Sequence, residues 1–207
     1  MKVCCLSDLH GYLPEVPDCD LLLLGGDYCR DHHDEYFYNI TFNNWLQDLK
    51  NKGITVIGVA GNHDRLFEKD IKNAQRLPWI YLQDSGTTFN GLNVYGSPHQ
   101  PRYFDWAFNL DEPQLAAKWA LIPEGTDILL LHGPPHGIAD FSIYGNEHTG
   151  SPSLINRILE VKPKLVVCGH IHSGNGIYKL DYGGILVNAA LCNEQYKPKQ
   201  AIHCVEL

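Results

Sequence analysis

The stretch Leu165-Val166-Val167-Cys168-Gly169-His170-Ile171-His172 drives four apolar residues into a glycine and two histidines. A short, continuously apolar run suits a strand buried on both faces, the condition of a parallel strand inside an α/β fold. The glycine lets the backbone turn, so the imidazoles fall just beyond the strand. The same grammar recurs upstream. Lys2 to Leu6 leads into Asp8-Leu9-His10, and Leu21 to Leu24 leads into Gly25-Gly26-Asp27. Ile54 to Ala60 leads into Gly61-Asn62-His63-Asp64, and Asp127 to Leu131 leads into His132-Gly133. Strand after strand ends on ligand-type side chains.

Between these strands the pattern predicts helices. Tyr36 to Lys52 carries apolar residues at Tyr36, Ile40, Trp45 and Leu49 and stops before Gly53. Phe67 to Arg76, Glu112 to Leu121 and Ser153 to Val161 read as further helices, the last led by Ser151-Pro152. Trp79 to Gln83 reads as a strand. Thr87 to Phe89 and Leu92 to Tyr95 read as a hairpin around Asn90-Gly91, and Gly184 to Ala189 and Ala201 to Val205 complete the strands. With no repeat and no long linker, residues 1–207 are expected to form one α/β domain.

The chain has 207 residues, 44% of them hydrophobic, and a formal net charge of −8. That charge argues against a long nucleic-acid duplex as partner. The sequence opens directly into a strand and has no long apolar segment, so a cytoplasmic protein without a membrane partner is expected. The seven cysteines include no C-x-x-C pair, and reduced, mostly structural thiols are expected.

Chemistry concentrates in the strand-end motifs. Asp8 and His10, two apart, face the same way if the backbone is extended. Asp27 offers a carboxylate with two oxygens, enough to bridge two cations. Asn62 supplies a neutral oxygen, and the adjacent His63 stays available for proton chemistry. His132, His170 and His172 add three imidazoles from two more strand ends.

In this order the sequence resembles the calcineurin-like metallophosphoesterase superfamily, whose blocks are D-x-H, G-D, G-N-H-[DE], H and G-H-x-H. All five blocks are present over residues 8 to 172. The resemblance implies a two-layer β-sandwich flanked by α-helices, with a dinuclear metal centre. It implies that Asp8, His10, Asp27 and His172 hold one cation and Asp27, Asn62, His132 and His170 the other. It further implies metal-assisted hydrolysis by a metal-bridging hydroxide, with His63 stabilising the phosphoryl group and protonating the departing alkoxide. Asp64 is expected to orient His63 or a ligand.

Tyr81-Leu82-Gln83-Asp84-Ser85 and His132-Gly133-Pro134-Pro135 are similar to a finer branch, metallophosphoesterase-domain proteins best known from vertebrate brain, themselves similar to class III cyclic-nucleotide phosphodiesterases. Some members of that branch lack the first histidine of G-H-x-H, whereas His170 is present here. The mixed donor set suits Mn²⁺, Fe or Zn²⁺, with Mn²⁺ expected to support activity.

Around these blocks, Arg65 and Arg102 are candidate phosphate contacts. Trp106, within Tyr103-Phe104-Asp105-Trp106-Ala107-Phe108, is a candidate to stack a nucleobase or aryl group, and His136 is a candidate on the rim. His32, His33, His99, His148 and His203 are expected on the surface or in loops. After Asp27 the chain reads Tyr28-Cys29-Arg30-Asp31, so the Ser/Thr phosphatase pattern G-D-x-x-D-R-G is absent. The expected activity is a phosphodiesterase for small phosphodiesters, cyclic or other nucleotides. The alternatives are a phosphomonoesterase, a nucleotide pyrophosphohydrolase, or a catalytically silent scaffold of the same fold.

Overall fold

The computed structural model describes residues 1–30 and 34–207; Asp31, His32 and His33 lie outside the described residues. The first half of the chain runs β1 (Lys2–Leu6), β2 (Leu21–Leu24), a π-helical turn (Phe37–Phe42) continuing as α1 (Asn43–Asn51), β3 (Thr55–Gly58), α2 (Arg65–Lys69), α3 (Lys72–Gln75), β4 (Ile80–Tyr81), β5 (Ser85–Phe89) and β6 (Leu92–Ser97). The rest runs β7 (Gln100–Pro101), β8 (Asn109–Leu110), α4 (Glu112–Trp119), β9 (Ile128–Leu131), β10 (Phe141–Ser142), β11 (Glu147–His148), α5 (Pro152–Val161), β12 (Leu165–Cys168), β13 (Gly176–Lys179), β14 (Ile185–Asn188) and β15 (His203–Glu206).

Two sheets stack. One has the order β15-β1-β2-β3-β4 and the other β13-β14-β12-β9-β6-β5. The β1 to β4 strands are mutually parallel, as are β6, β9, β12 and β14, while β15, β13 and β5 run antiparallel at the edges. Period-two alternation then divides each apolar run between two cores. Val3, Cys5, Leu21, Leu23, Ile57, Ile128, Leu130, Leu165, Val167 and Val187 fill the space between the sheets. Cys4, Leu6, Leu22, Leu24 and Val56 face Phe42, Leu46 and Phe67 from the helical layer. On the opposite side Leu129, Leu131, Val166, Cys168 and Leu186 meet Leu115 and Trp119 of α4 and Leu154 and Ile158 of α5. The result is the expected β-sandwich flanked by helices, and it explains why these strands are apolar on both faces.

Three sequence expectations are corrected. Of the stripe Tyr36, Ile40, Trp45, Leu49, Leu49 is buried and Trp45 packs partly on the core, but Tyr36 is 71% and Ile40 46% exposed. The π turn adds a residue to the helical repeat, so Phe37 and Phe42 stack five positions apart (centroids 6.1 Å) and the core takes Phe37, Tyr38, Phe42 and Leu46 beside Leu49. The seven cysteines are not all thiols: Cys4 and Cys204 face each other across the β1–β15 register and are joined by a disulfide. A pairing across most of the chain leaves no local signature. His99 is buried rather than superficial, held between the Phe108 carbonyl and Asp84. The predicted hairpin forms, with Asn90 (φ 47°) and Gly91 (φ 80°) at its tip.

Leu130 is fully buried between the sheets. Leu130→Ala is therefore expected to lower stability by about 2–5 kcal/mol in urea titration. Asp84 gives a pH-dependent counterpart. Burial alone raises its carboxyl, but hydrogen bonds from His99, Lys118 and Ser97 prevail and hold it at about 2. An acid depressed in the folded state stabilises fully above its unfolded value and loses that stabilisation as pH falls. The acid limb of the stability profile between about pH 4 and 2 should therefore flatten in Asp84→Asn.

Candidate metal centre

The carboxyl ends of the parallel strands meet along one edge of the sandwich, where open α/β sheets place their ligands. Ser7, just past β1, bridges to Ala190, just past β14, so the two sheets join there. Beyond the bridge the loops after β1 and β2 run side by side, with Asp8 N donating to the Gly26 carbonyl (2.9 Å) and His10 N to the Asp27 carbonyl (3.0 Å). The backbone is not extended at Asp8 and His10, as the two-residue spacing had suggested. Asp8, His10, Asp27 and His170 all adopt left-handed φ, at 54°, 44°, 58° and 65°. Each such non-glycine conformation costs roughly 1–3 kcal/mol, and such residues gather where function dictates the backbone.

The motif glycines supply room. A Cβ on Gly61 would overlap Asp27 Oδ1, and one on Gly169 would overlap Asp8 Oδ2. In their place backbone N–H groups reach the same carboxylates: His63 N donates to Asp27 Oδ1 (2.7 Å) and His170 N to Asp8 Oδ2 (2.9 Å).

The remaining ligand-type atoms converge. His172 Nε2 lies 3.3 Å from Asp8 Oδ1 and 3.3 Å from His10 Nε2. His10 Nε2 lies 3.9 Å from Asp27 Oδ2, and His132 Nε2 lies 3.6 Å from Asp27 Oδ1 and 2.8 Å from Asn62 Oδ1. Asp8–His10–His172, His10–Asp27–His63 and Asp8–Asp27–His132 each form a compact triad of potential ligands, and Asp8, His10 and Asp27 each belong to two of them. The His170 ring joins from the side, its centroid 5.0 Å from that of His132.

These residues fit divalent cations on three counts. Donors about 2.0–2.2 Å from one cation sit about 3.0–3.4 Å from each other, the spacing of His10 and His172. His132 Nδ1 and His172 Nδ1 face the backbone carbonyls of Gly25 (2.7 Å) and Asn193 (2.9 Å), which fixes the tautomer and turns the Nε2 lone pairs inward. Asp8 Oδ1 is buried without a hydrogen-bond partner, an arrangement costly for a carboxylate oxygen with no further role.

The electrostatics agree. Burial pushes His10 down to about 4 and His170 down to about 3, so both rings are neutral at pH 7. Burial would raise the Asp8 and Asp27 carboxyls, yet the surrounding histidines outweigh it and hold both below the ordinary range. His172 is also disfavoured as a cation by burial, but Asp8 overcomes this and lifts it to about 9. A cation ligated by His172 must therefore displace a proton.

Asp64 does not turn toward the cluster. Its carboxylate is fully buried and accepts from Asp27 N (2.8 Å), Gly61 N (2.7 Å), Tyr28 N (3.0 Å) and the Tyr38 hydroxyl (2.6 Å). It clamps the loops carrying Asp27 and Asn62 together, a positioning role. Arg65 bonds the Asp105 carbonyl, and Arg102 Nε bonds Asp111 Oδ1 (2.7 Å), so neither guanidinium has a place among the ligand atoms. His136 stands half-exposed 3.7 Å from the buried Asp140, which also accepts from His148 Nδ1 (2.6 Å). Trp106 packs against His63 at 5.1 Å. Sequence reasoning missed Tyr196, whose ring lies 4.7 Å from His10, 5.4 Å from His172 and 6.2 Å from His63; no spacing rule links it to the strand-end blocks.

Comparison with known proteins places these observations in a family context. Residues 1–174 match the model of the calcineurin-like phosphoesterase family. The chain is 36% identical over 223 residues to the human and mouse proteins called metallophosphoesterase domain-containing protein 1, covering 94% of this chain and 67% of the relative. Among solved structures it is similar to TT1561 of Thermus thermophilus, with a TM-score of 0.63 and 18% identity over 90% of this chain and 88% of the other.

Asp64→Asn sets an amide N–H₂ against donors that need an acceptor. The expected loss is about 1–3 kcal/mol with reduced metal occupancy, read by urea unfolding and by elemental analysis after dialysis. Unchanged stability and metal content would contradict the clamp.

Proposed function

Because the chain belongs to the calcineurin-like phosphoesterase family, we propose that it is a dinuclear-metal phosphodiesterase for small phosphodiesters, cyclic nucleotides among them. The observation that carries this reading is the convergence of Asp8, His10, Asp27, His132 and His172 at the joined sheet ends, with Asp8, His10 and Asp27 each shared between triads. We assign Asp8, His10, Asp27 and His172 to one cation and Asp27, Asn62, His132 and His170 to the other. When bound, the two cations supply charge neutralisation at the phosphoryl group and a water more acidic than bulk water. Mn²⁺ is the proposed ion, since carboxylate, amide and imidazole donors together accommodate it.

The chain's own residues do the rest. His63 is anchored through its backbone N–H to Asp27 Oδ1, and its Nε2 lies 4.0 Å from Asp27 Oδ2, so the ring faces the same space as the ligands. There it can hold a proton at Nε2 and deliver it to the departing oxygen. The preference for a diester rests on charge. A monoester dianion calls for extra cationic side chains, whereas Arg65 and Arg102 are engaged by Asp105 and Asp111. The aromatic Trp106 at the mouth instead suits a second, apolar ester group.

Protein stripped of metal and refilled with Mn²⁺ is expected to hydrolyse bis(4-nitrophenyl) phosphate faster than 4-nitrophenyl phosphate. It should also open 2′,3′- or 3′,5′-cyclic nucleotides. Preference for the monoester would replace the diesterase with a phosphomonoesterase, and silence with Mn²⁺, Fe and Zn²⁺ would leave a scaffold. His63→Ala should keep both ions yet lose roughly 10²–10⁴-fold in turnover of substrates with poor leaving groups. Asp27→Asn should lose metal, and two tightly held ions in that variant would refute the bridge.

A further inference from the structure

The helix that follows Asp34 opens with a π-helical turn, Phe37–Phe42, a rare form found frequently at functional sites. Asp34 Oδ1 accepts from Phe37 N (2.8 Å) at its start. Within that turn Tyr38 is fully buried, its ring packed against Phe67 at 4.7 Å, Phe37 at 5.5 Å and Phe42 at 6.2 Å. Phe67 belongs to α2, whose first turn is tied back to Asp64 by Phe67 N donating to the Asp64 carbonyl (2.9 Å). The Tyr38 ring is thus held by the same element that Asp64 opens, and its hydroxyl meets Asp64 Oδ1 at 2.6 Å. Burial, and then the Asp64 charge, push that hydroxyl well above its ordinary pKa, so it keeps its proton and donates.

The other three groups that Asp64 accepts from are backbone N–H. Tyr28 N (3.0 Å) shares Oδ1 with Tyr38, while Asp27 N (2.8 Å) and Gly61 N (2.7 Å) share Oδ2. The Asp27 bond fixes the peptide that enters a left-handed residue, and that turn aims the Asp27 carboxylate. The Gly61 bond fixes the turn presenting Asn62 and His63, which Asp64 N closes on the Gly61 carbonyl (3.1 Å). One buried carboxylate therefore spans two loops of proposed ligands, and a hydroxyl from a third element, outside all five sequence blocks, holds its remaining oxygen. We propose that Tyr38 is a positioning residue of the metal centre: by donating to Asp64 Oδ1 it keeps that carboxylate across the loops of Asp27 and Asn62, and cation affinity depends on it. This rests on the metal-centre part of the reading above. Without the hydroxyl, Oδ1 keeps Tyr28 N alone, a poorly satisfied buried charge close to the like charge of Asp27. The carboxylate then shifts, and both loops lose their common anchor.

The test is Mn²⁺ affinity, read from the electron paramagnetic resonance signal of the free ion as the metal-stripped protein is titrated. Tyr38→Phe keeps the packed ring and removes only the hydroxyl; it is expected to weaken Mn²⁺ binding about ten-fold or more, as for other groups that orient a ligand from behind. Tyr182→Phe is the matched control. Its hydroxyl donates to the Pro163 carbonyl (2.9 Å), ahead of β12 and so at the end of that strand away from the site. That variant should lower the urea midpoint of the metal-free protein and leave Mn²⁺ affinity as in the parent. In an Asp64→Asn background Tyr38→Phe should weaken Mn²⁺ no further, because the effect runs through Asp64; the single variant decides the matter where Asp64→Asn does not fold. Parent-like affinity in Tyr38→Phe, an equal loss in Tyr182→Phe, or a further loss in the Asp64→Asn background would overturn the assignment. A parent protein that binds no Mn²⁺ would instead overturn the Mn²⁺ centre on which it rests.

Discussion

Two carboxylates, Asp8 and Asp27, are buried at the line where two parallel sheets end, with imidazoles on every near side. Like charges in so dry a place repel strongly, and the fold around them reads as the means of holding them there. Backbone N–H groups of His63 and His170 point at them, left-handed turns aim them, and Gly61 and Gly169 clear the space they occupy. Asp64 adds a third buried carboxylate behind them. Burial and then the Asp27 charge push it up to about 6, against the pull of its four donors. Divalent charge at the centre of this arrangement would offset the repulsion, and the family to which the chain belongs uses divalent metals.

Much of this architecture was legible in the sequence because parallel strands buried on both faces have few alternatives. The runs at Leu21–Leu24 and Leu165–Cys168 can be little else, and their glycine and histidine followers mark strand ends. The Asn90-Gly91 turn was legible for the same reason, since only certain residues accept positive φ at both positions. Features set by long-range geometry were not legible. The π turn at Phe37–Phe42 rotates the helix face that meets the core. The short β7–β8 and β10–β11 pairs have no periodicity to detect. Cys4 and Cys204 are brought together only by the return of the chain as β15.

At the site the same division holds. Residues within the five blocks gather as their order implied, because each block is anchored to a strand end. The rim residues follow loop closure instead. Arg65 and Arg102 find nearby acids, Trp106 reaches His63 across the Asn62 carbonyl contact, and Tyr196 arrives from a loop far along the chain. A residue's type announced possible chemistry there, but its neighbours decided its use.

One consequence concerns cooperativity. The loops carrying the candidate ligands follow β1, β2 and β3 of one sheet and β9 and β12 of the other, so a cation shared among them would tie the two halves of the sandwich at their common edge. Neither sheet could then peel away without giving up its share of the ligands. The free energy of binding would be spent on coupling the halves as well as on holding the ion. Transient opening in the metal-loaded protein should begin at the opposite edge, among the loops that enter the strands, and leave the chemistry-bearing edge the last part of the molecule to exchange its amide hydrogens.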